Sequence, residues 1–230
     1  MSGAERPGDG REGDIAVAAV SGEAVRAVLC RAPVVPVFTP GAVDDAVDVA
    51  RALVRGGLPV IEVTLRTPGA LDAIRAMSQA LPEAVIGAGT VLDATQLQQA
   101  RAAGAAFGVS PGATPRLLRA ALDHDLPFLP GVATASELQA GLEAGFDTFK
   151  FFPARQAGGA SMLSAWGGPF PGVRFCPTGG IGVDTAPDYL CLPNVLCVGG
   201  SWLTPQEHLV ARDWAGIERL ARLAAALVRG

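Results

Sequence analysis

Hydrophobic and polar positions alternate along this chain in two rhythms that take turns. Short runs of period two, rich in Val, Ile and Phe, are followed by Ala- and Leu-rich stretches whose apolar residues recur every three or four positions. The first rhythm predicts strands over Val34–Thr39, Val60–Leu65, Val85–Val91, Phe107–Ser110, Phe128–Val132, Thr148–Phe152, Arg174–Pro177 and Val195–Gly199. The second predicts helices over Ala42–Arg55, Pro68–Gln79, Ala94–Ala103, Thr114–His124, Ala135–Ala144, Gly159–Trp166 and Asp184–Leu190, with a last one from about Trp214 to Val228. In the stretch 44–57, Val47, Val49, Ala50, Leu53 and Val54 form one apolar stripe, and Gly56–Gly57 supply a stop. Asp93 and Thr134 sit where N-caps belong, and Glu137 completes a capping box with Thr134.

Eight β/α units in a chain of 230 residues have two common solutions, an open doubly wound sheet or a closed (β/α)8 TIM barrel. No GxGxxG opens a helix after the first strand, which weakens the open, dinucleotide-binding form. The even spacing and the count of units favour the α/β barrel. It would be a single domain over residues 25–230, behind a solvated, partly disordered tail over residues 1–24 that opens "MSGAERPGDGREG".

Side chains alternate along a strand, so each strand divides into two sets. In "VIEVTLR", Ile61, Val63 and Leu65 are all apolar and belong under the helices. That turns Val60, Glu62, Thr64 and Arg66 inward, with Arg66 at the top. In "TFKFF" the same rule directs Phe149 and Phe151 outward and Lys150 and Phe152 inward. An internal Glu62–Arg66 ion pair is the plain structural alternative, and a snorkelling surface lysine is the plain alternative for Lys150.

Composition sharpens the case of Lys150. Of the 18 Lys and Arg residues it is the one lysine, in an apolar run of phenylalanines. Arginine supplies charge as well as lysine does, but it cannot lose a proton near neutral pH and attack a carbonyl. An apolar wall also disfavours the ammonium form. Lys150 is therefore a candidate Schiff-base nucleophile, and Glu62 a carboxyl group able to reach the same cavity from another strand.

Two late turns look like phosphate cradles. "CPTGGI" places Gly179 and Gly180 after the seventh strand, and "VGGSW" places Gly200 and Ser201 after the eighth. Glycines let backbone N–H groups approach an anion closely, and the loops after strands seven and eight are the usual phosphate site of such barrels. Tight turns without a ligand are the alternative. "GAGTV" and "SPG" end strands three and four with small residues, which leaves Thr90 and Pro111 to line a pocket, Thr90 by donating a hydrogen bond.

Other classes receive little support. A net charge of −4 without a basic stripe argues against nucleic acid. No apolar stretch reaches transmembrane length and no signal peptide opens the chain, so the expected location is cytoplasmic, with no membrane partner. Cys30, Cys176, Cys191 and Cys197 form no CxxC pair and read as reduced, buried thiols. The two histidines, His124 and His208, show no metal-ligand spacing and read as surface residues, so no metal is expected.

"EVTLRT", "GAGTVL", "SPG", "FKFFPA", "RFCPTGGI" and "VGGSWL" occur here in the order and spacing of a known family. Over roughly residues 30 to 210 the chain resembles the bacterial aldolases that cleave 2-keto-3-deoxy-6-phosphogluconate (KDPG), also active on 4-hydroxy-2-oxoglutarate (KHG). The resemblance implies a class I, metal-free, cofactor-free, homotrimeric (β/α)8 enzyme acting on a phosphorylated 2-keto acid and releasing pyruvate and glyceraldehyde 3-phosphate. It implies that Lys150 forms the imine with C2 and that Glu62 shuttles protons. It assigns Arg66 and Thr90 to the pyruvate carboxylate, Pro111 and Phe152 to the pocket around the keto acid, and Gly179, Gly180, Gly200 and Ser201 to the phosphate. The chain departs from the family pattern in "VPVFTPGAVDD", after the first strand, and in its longer tail, which bears on substrate preference. An aldolase for the galactonate-derived isomer (KDPGal) and a sugar-phosphate isomerase or epimerase using Glu62 as base are the competing enzymes. A metal-dependent aldolase lacks a ligand set, and a non-catalytic sugar-phosphate sensor leaves the inward charges unexplained.

Overall fold

The structure is a computed structural model that describes residues 22–124 and 126–230. The expected tail lies outside the described residues up to residue 21, and residues 22–24 already belong to a helix, α1, over 22–29. The chain then alternates strand and helix: β1 (Val34–Phe38), α2 (Val43–Arg55), β2 (Val60–Thr64), α3 (Ala70–Ala80), β3 (Val85–Gly89), α4 (Ala94–Ala102), β4 (Phe107–Val109) and α5 (Pro115–Asp123). It continues with β5 (Phe128–Leu129), β6 (Gly131–Val132), α6 (Ala135–Glu143), β7 (Thr148–Phe151), α7 (Gly159–Trp166), β8 (Arg174–Pro177), α8 (Ala186–Leu190), β9 (Val198–Gly200), α9 (Gln206–Ala211) and α10 (Trp214–Ala225).

Every strand pairing is parallel. One sheet runs β5-β4-β3-β2-β1-β9 and the other β6-β7-β8, with isolated parallel bridges Phe175–Val195 and Thr178–Gly199 between β8 and the β9 segment. The expected strand Phe128–Val132 is two short ones because Pro130 between them has no N–H for a ladder. The carbonyl of Pro130 still accepts from the Lys150 N–H at 2.9 Å. The eighth expected strand begins at Val198, because Val195 makes only a single bridge.

The sheet is curled, and the two side-chain sets face different cores. The outer set (Ile61, Val63, Phe149, Phe151 and Phe175 among others) packs with the helices in one large cluster. Trp166 of α7 fastens that side, edge-on to Phe151 with centroids 5.3 Å apart and tilted on Phe175 at 5.7 Å. Burying such a side chain contributes about 1.5–3 kcal/mol. The inner set (Val35, Val60, Phe107, Val109, Leu129, Cys176, Cys197) forms a separate cluster closed by Val25 and Leu29 of α1. This inner apolar floor lies below the polar residues that the same strands carry nearer their C-terminal ends.

Local signals act as the sequence implies. Asp93 accepts from the Gln96 N–H at 2.8 Å, and Thr134 and Glu137 form the capping box. In α2 the buried stripe is Ala46, Val49, Ala50, Ala52 and Leu53, while Val47 and Val54 lie at its margins, so the small alanines and not those valines meet the sheet. The expectation of buried thiols holds for Cys176 and Cys197 only; Cys30 and Cys191 are free and exposed, at helix ends where the apolar runs stop.

Candidate active site

Glu62 on β2 and Lys150 on β7 reach across the concave face and meet. Lys150 Nζ donates to Glu62 Oε1 at 2.9 Å and lies 3.2 Å from Oε2. The two residues are 3% and 5% exposed. A buried ion pair is a poor source of stability, since desolvation costs as much as the attraction returns, so its presence points to use. The ammonium also sits 5.3 Å from the centre of the Phe152 ring. The carboxyl partner of the lone lysine is thus Glu62. Arg66, expected inward at the top of its strand, lies in the turn beyond β2, exposed, and forms no ion pair with a described residue, so the alternative of an internal Glu62–Arg66 pair is not what the structure shows.

Gly89 explains how Glu62 reaches that position. A Cβ on Gly89 would collide with the Glu62 carboxyl group, so the bare backbone of β3 gives the side chain its room. In the same strand Gly87 makes room for the Phe107 ring. The small residues of "GAG" therefore serve the acid and the floor beneath it, where the sequence suggested only space for a ligand.

Above the pair stand hydroxyl and backbone groups at the strand ends. Thr90, next after β3, holds φ +60°, a conformation that β-branched residues rarely adopt. Ser110 Oγ accepts from the Gly131 N–H at 3.2 Å, and Gly131 is in register with Lys150. Pro111 follows, its backbone so close to Gly131 that no side chain fits between them. Two further hydroxyl residues, Thr64 and Thr178, received no role from the sequence. Thr64, fully buried in the inner set of β2, pairs with Thr39 across 2.8 Å. Thr178, buried, is the next residue after β8 and lies against Gly199. Both were legible as inward positions by alternation, but a threonine alone carries too little signal.

The two glycine turns come side by side through the Thr178–Gly199 bridge. Gly179 and Gly180 have φ +104° and +73°, which aims their peptides in a way ordinary residues resist. Gly200 is buried beneath the Trp202 indole and Ser201 is exposed beside it. A separate surface cavity of ≈ 420 Å³, lined by Thr39, Pro40, Asp45, Gln206 and Arg212 among others, lies beside the loop after β1 and includes neither Lys150 nor Glu62.

Two other titratable groups are shifted for structural reasons. A hydrogen bond with Cys176 and full burial push the Cys197 thiol well above its ordinary value, which makes it inert. The Gly216 N–H and His208 hold the Asp213 carboxyl below its usual range, with His208 Nδ1 at 2.8 Å from Asp213 Oδ2. His208 thus serves a helix cap on α10. Among the described residues no three His, Cys, Asp or Glu side chains gather closely enough to hold a metal ion, and no helix is long and apolar enough to cross a membrane.

A parallel α/β scaffold that sets one buried lysine against one carboxyl group, below turns suited to an anion, is the layout an imine-forming lyase requires. The chain belongs to the KDPG and KHG aldolase family, whose sequence model matches residues 25–220. It is 52% identical over 195 residues to the KHG/KDPG aldolase of Escherichia coli K12, covering 85% of this chain and 92% of that enzyme. Among solved structures, KDPG aldolase of Legionella pneumophila, with pyruvate captured at low pH as a covalent carbinolamine intermediate, is 47% identical with a TM-score of 0.86. That match covers 87% of this chain and 98% of the other. The aldolase of Zymomonas mobilis ZM4 with 3-phosphoglycerate is 48% identical with a TM-score of 0.87, over 91% and 98% of the two chains.

Proposed function

We propose that this protein is a class I aldolase that cleaves KDPG to pyruvate and glyceraldehyde 3-phosphate, and KHG to pyruvate and glyoxylate. The observation that carries the reading is the buried 2.9 Å contact between Lys150 and Glu62. An isomerase that used Glu62 as its base would have no use for that lysine.

The chemistry follows from the pair. The resting Lys150 ammonium gives a proton to Glu62, and the neutral amine attacks C2 of the keto acid. Glu62 returns that proton to the C2 oxygen to give the carbinolamine, then relays a second proton from the carbinolamine nitrogen to the same oxygen, which leaves as water, so that a protonated imine remains opposite the Glu62 carboxylate. The carboxylate then takes the proton of the C4 hydroxyl as the C3–C4 bond breaks. The bonding pair moves into the imine to form an enamine, and the aldehyde departs. Glu62 delivers its proton to C3, and hydrolysis of the pyruvate imine frees Lys150. The electron sink is the iminium nitrogen, so no step needs a metal or another cofactor.

The remaining residues take their places around this sequence. Arg66, a cation at the rim without an ion pair to a described residue, and Thr90, held at φ +60°, bind the carboxylate. Pro111 and Phe152 enclose the keto acid. Gly179, Gly180, Gly200 and Ser201 receive the phosphate. We take the whole to be a closed (β/α)8 barrel. The bridges Phe175–Val195 and Thr178–Gly199, and the passage from β5 to β6 at Pro130, support that closure. The domain would run over residues 25–230, and the family resemblance adds a homotrimer working in the cytoplasm.

Pyruvate release from KDPG and from KHG tests the reading. Ser201→Ala is expected to raise KM for KDPG by about tenfold, the worth of one hydrogen bond to a charged group, and to leave KM for KHG unchanged. An equal effect on both substrates would move the phosphate elsewhere.

A further inference from the structure

We infer that Arg155 is a phosphate-binding, specificity-determining residue, which clamps the phosphorylated end of the substrate against the Gly179–Gly180 turn. The inference rests on the aldolase reading and adds a cation to an anion site otherwise built from backbone and one hydroxyl. Sequence alone gave Arg155 no role.

The turn that follows Lys150 brings Arg155 there. The Ala154 N–H donates to the Thr178 carbonyl at 2.8 Å and the Arg155 N–H to the Gly179 carbonyl at 3.0 Å. The segment after the lysine strand is thereby laced to the turn after β8. The side chain then runs over Gly180. A Cβ on Gly180 would stand 2.7 Å from the Arg155 Cβ, 3.4 Å from its Cγ and 3.0 Å from its Cδ. Gly180 thus has two reasons to lack a side chain, its φ of +73° and the aliphatic stem of Arg155 across it. With Cδ over the turn, the guanidinium begins one bond further on, within reach of an anion held by the turn's N–H groups.

The charge is also available. Arg155 is exposed and makes no ion pair within 4.0 Å with a carboxylate of the described residues, whereas Arg26, Arg51, Arg75, Arg212, Arg219 and Arg222 each do. Burial first and then Asp188 push the Tyr189 hydroxyl above its ordinary value, and Arg155 acts against them, so the guanidinium lies within electrostatic reach of Tyr189. A guanidinium fork suits a phosphate dianion, where two N–H groups can each meet an oxygen.

The test separates charge from packing. Arg155→Met keeps the stem over Gly180 and removes the charge; Arg155→Lys keeps the charge and loses the fork. Arg155→Met is expected to raise KM for KDPG about tenfold with kcat within about twofold, to leave both constants for KHG unchanged, and to weaken inhibition by inorganic phosphate in proportion. Arg155→Lys should recover most of that loss, and the difference between variant and wild type should shrink with added salt. A methionine variant with wild-type KM for KDPG, or one with KM raised equally for both substrates, overturns the proposal. Pyruvate trapping by borohydride involves no phosphate. Wild-type protein that traps pyruvate while Arg155→Met changes nothing retains the aldolase reading and loses this residue. Wild-type protein that traps no pyruvate loses the reading itself.

Discussion

Lys150→Arg is expected to remove aldolase turnover, by about 10^4-fold or more, in a protein that stays folded. That loss corresponds to about 5.5 kcal/mol or more of transition-state stabilisation at about 1.4 kcal/mol per decade. Arginine keeps a cation opposite Glu62, which matters because the carboxyl group is buried at 3% exposure. Lys150→Ala would leave that acid unpaired and destabilise the fold by about 3–5 kcal/mol, confounding lost chemistry with lost structure. A guanidinium does not deprotonate near neutral pH, so no imine can form. Circular dichroism and a thermal melt check the fold, and pyruvate release checks turnover. Substantial residual turnover in a folded Lys150→Arg protein would remove the covalent step from the account.

The second large effect belongs to Glu62. Glu62→Gln preserves size and still accepts from Lys150, but it cannot carry a proton. It is expected to lower kcat by about 10^2–10^4-fold and to slow exchange of the methyl protons of bound pyruvate to a similar degree. Gly89→Ala makes the same point without altering any charge, because the new methyl group would occupy the space of the Glu62 carboxyl. Its kcat should fall with that of Glu62→Gln, and its exchange rate likewise. Unchanged methyl exchange in both variants would take Glu62 out of the proton path.

These predictions rest on features of unequal visibility in the sequence. Alternation in "VIEVTLR" and "TFKFF" sorted inner from outer side chains correctly, since Phe149, Phe151, Ile61 and Val63 do lie in the outer core. The identity of the lone lysine was legible from composition. That Glu62 reaches the same cavity was legible from alternation, but their direct 2.9 Å contact was not, because the two stand 88 positions apart and only the curl of the sheet brings them together. Arg66, equally inward by alternation, falls outside the inner group because β2 ends at Thr64 and alternation ends with it. Helix α1 was not predicted and its first residues, 22–24, were read as tail, although Val25 and Leu29 are four apart and supply the floor of the inner core. Helix α9 buries no residue, so it left no apolar stripe to read. The Arg155 stem over Gly180 depends on two turns meeting, which no local pattern encodes.

The family's chemistry and the geometry of this chain converge on one bond, from Lys150 Nζ to C2 of a keto acid. Everything proposed for Glu62, Thr90 and the glycine turns presupposes it. The most direct measurement is reduction with borohydride in the presence of pyruvate, followed by peptide mass mapping. Lys150 is the only lysine, so the N-terminal amine is the one competing primary amine. The account predicts a reduced pyruvate adduct on the peptide containing "FKFFPA" and loss of activity in step with it. Folded protein that acquires no adduct on that peptide would contradict the imine and return Lys150 to a binding role.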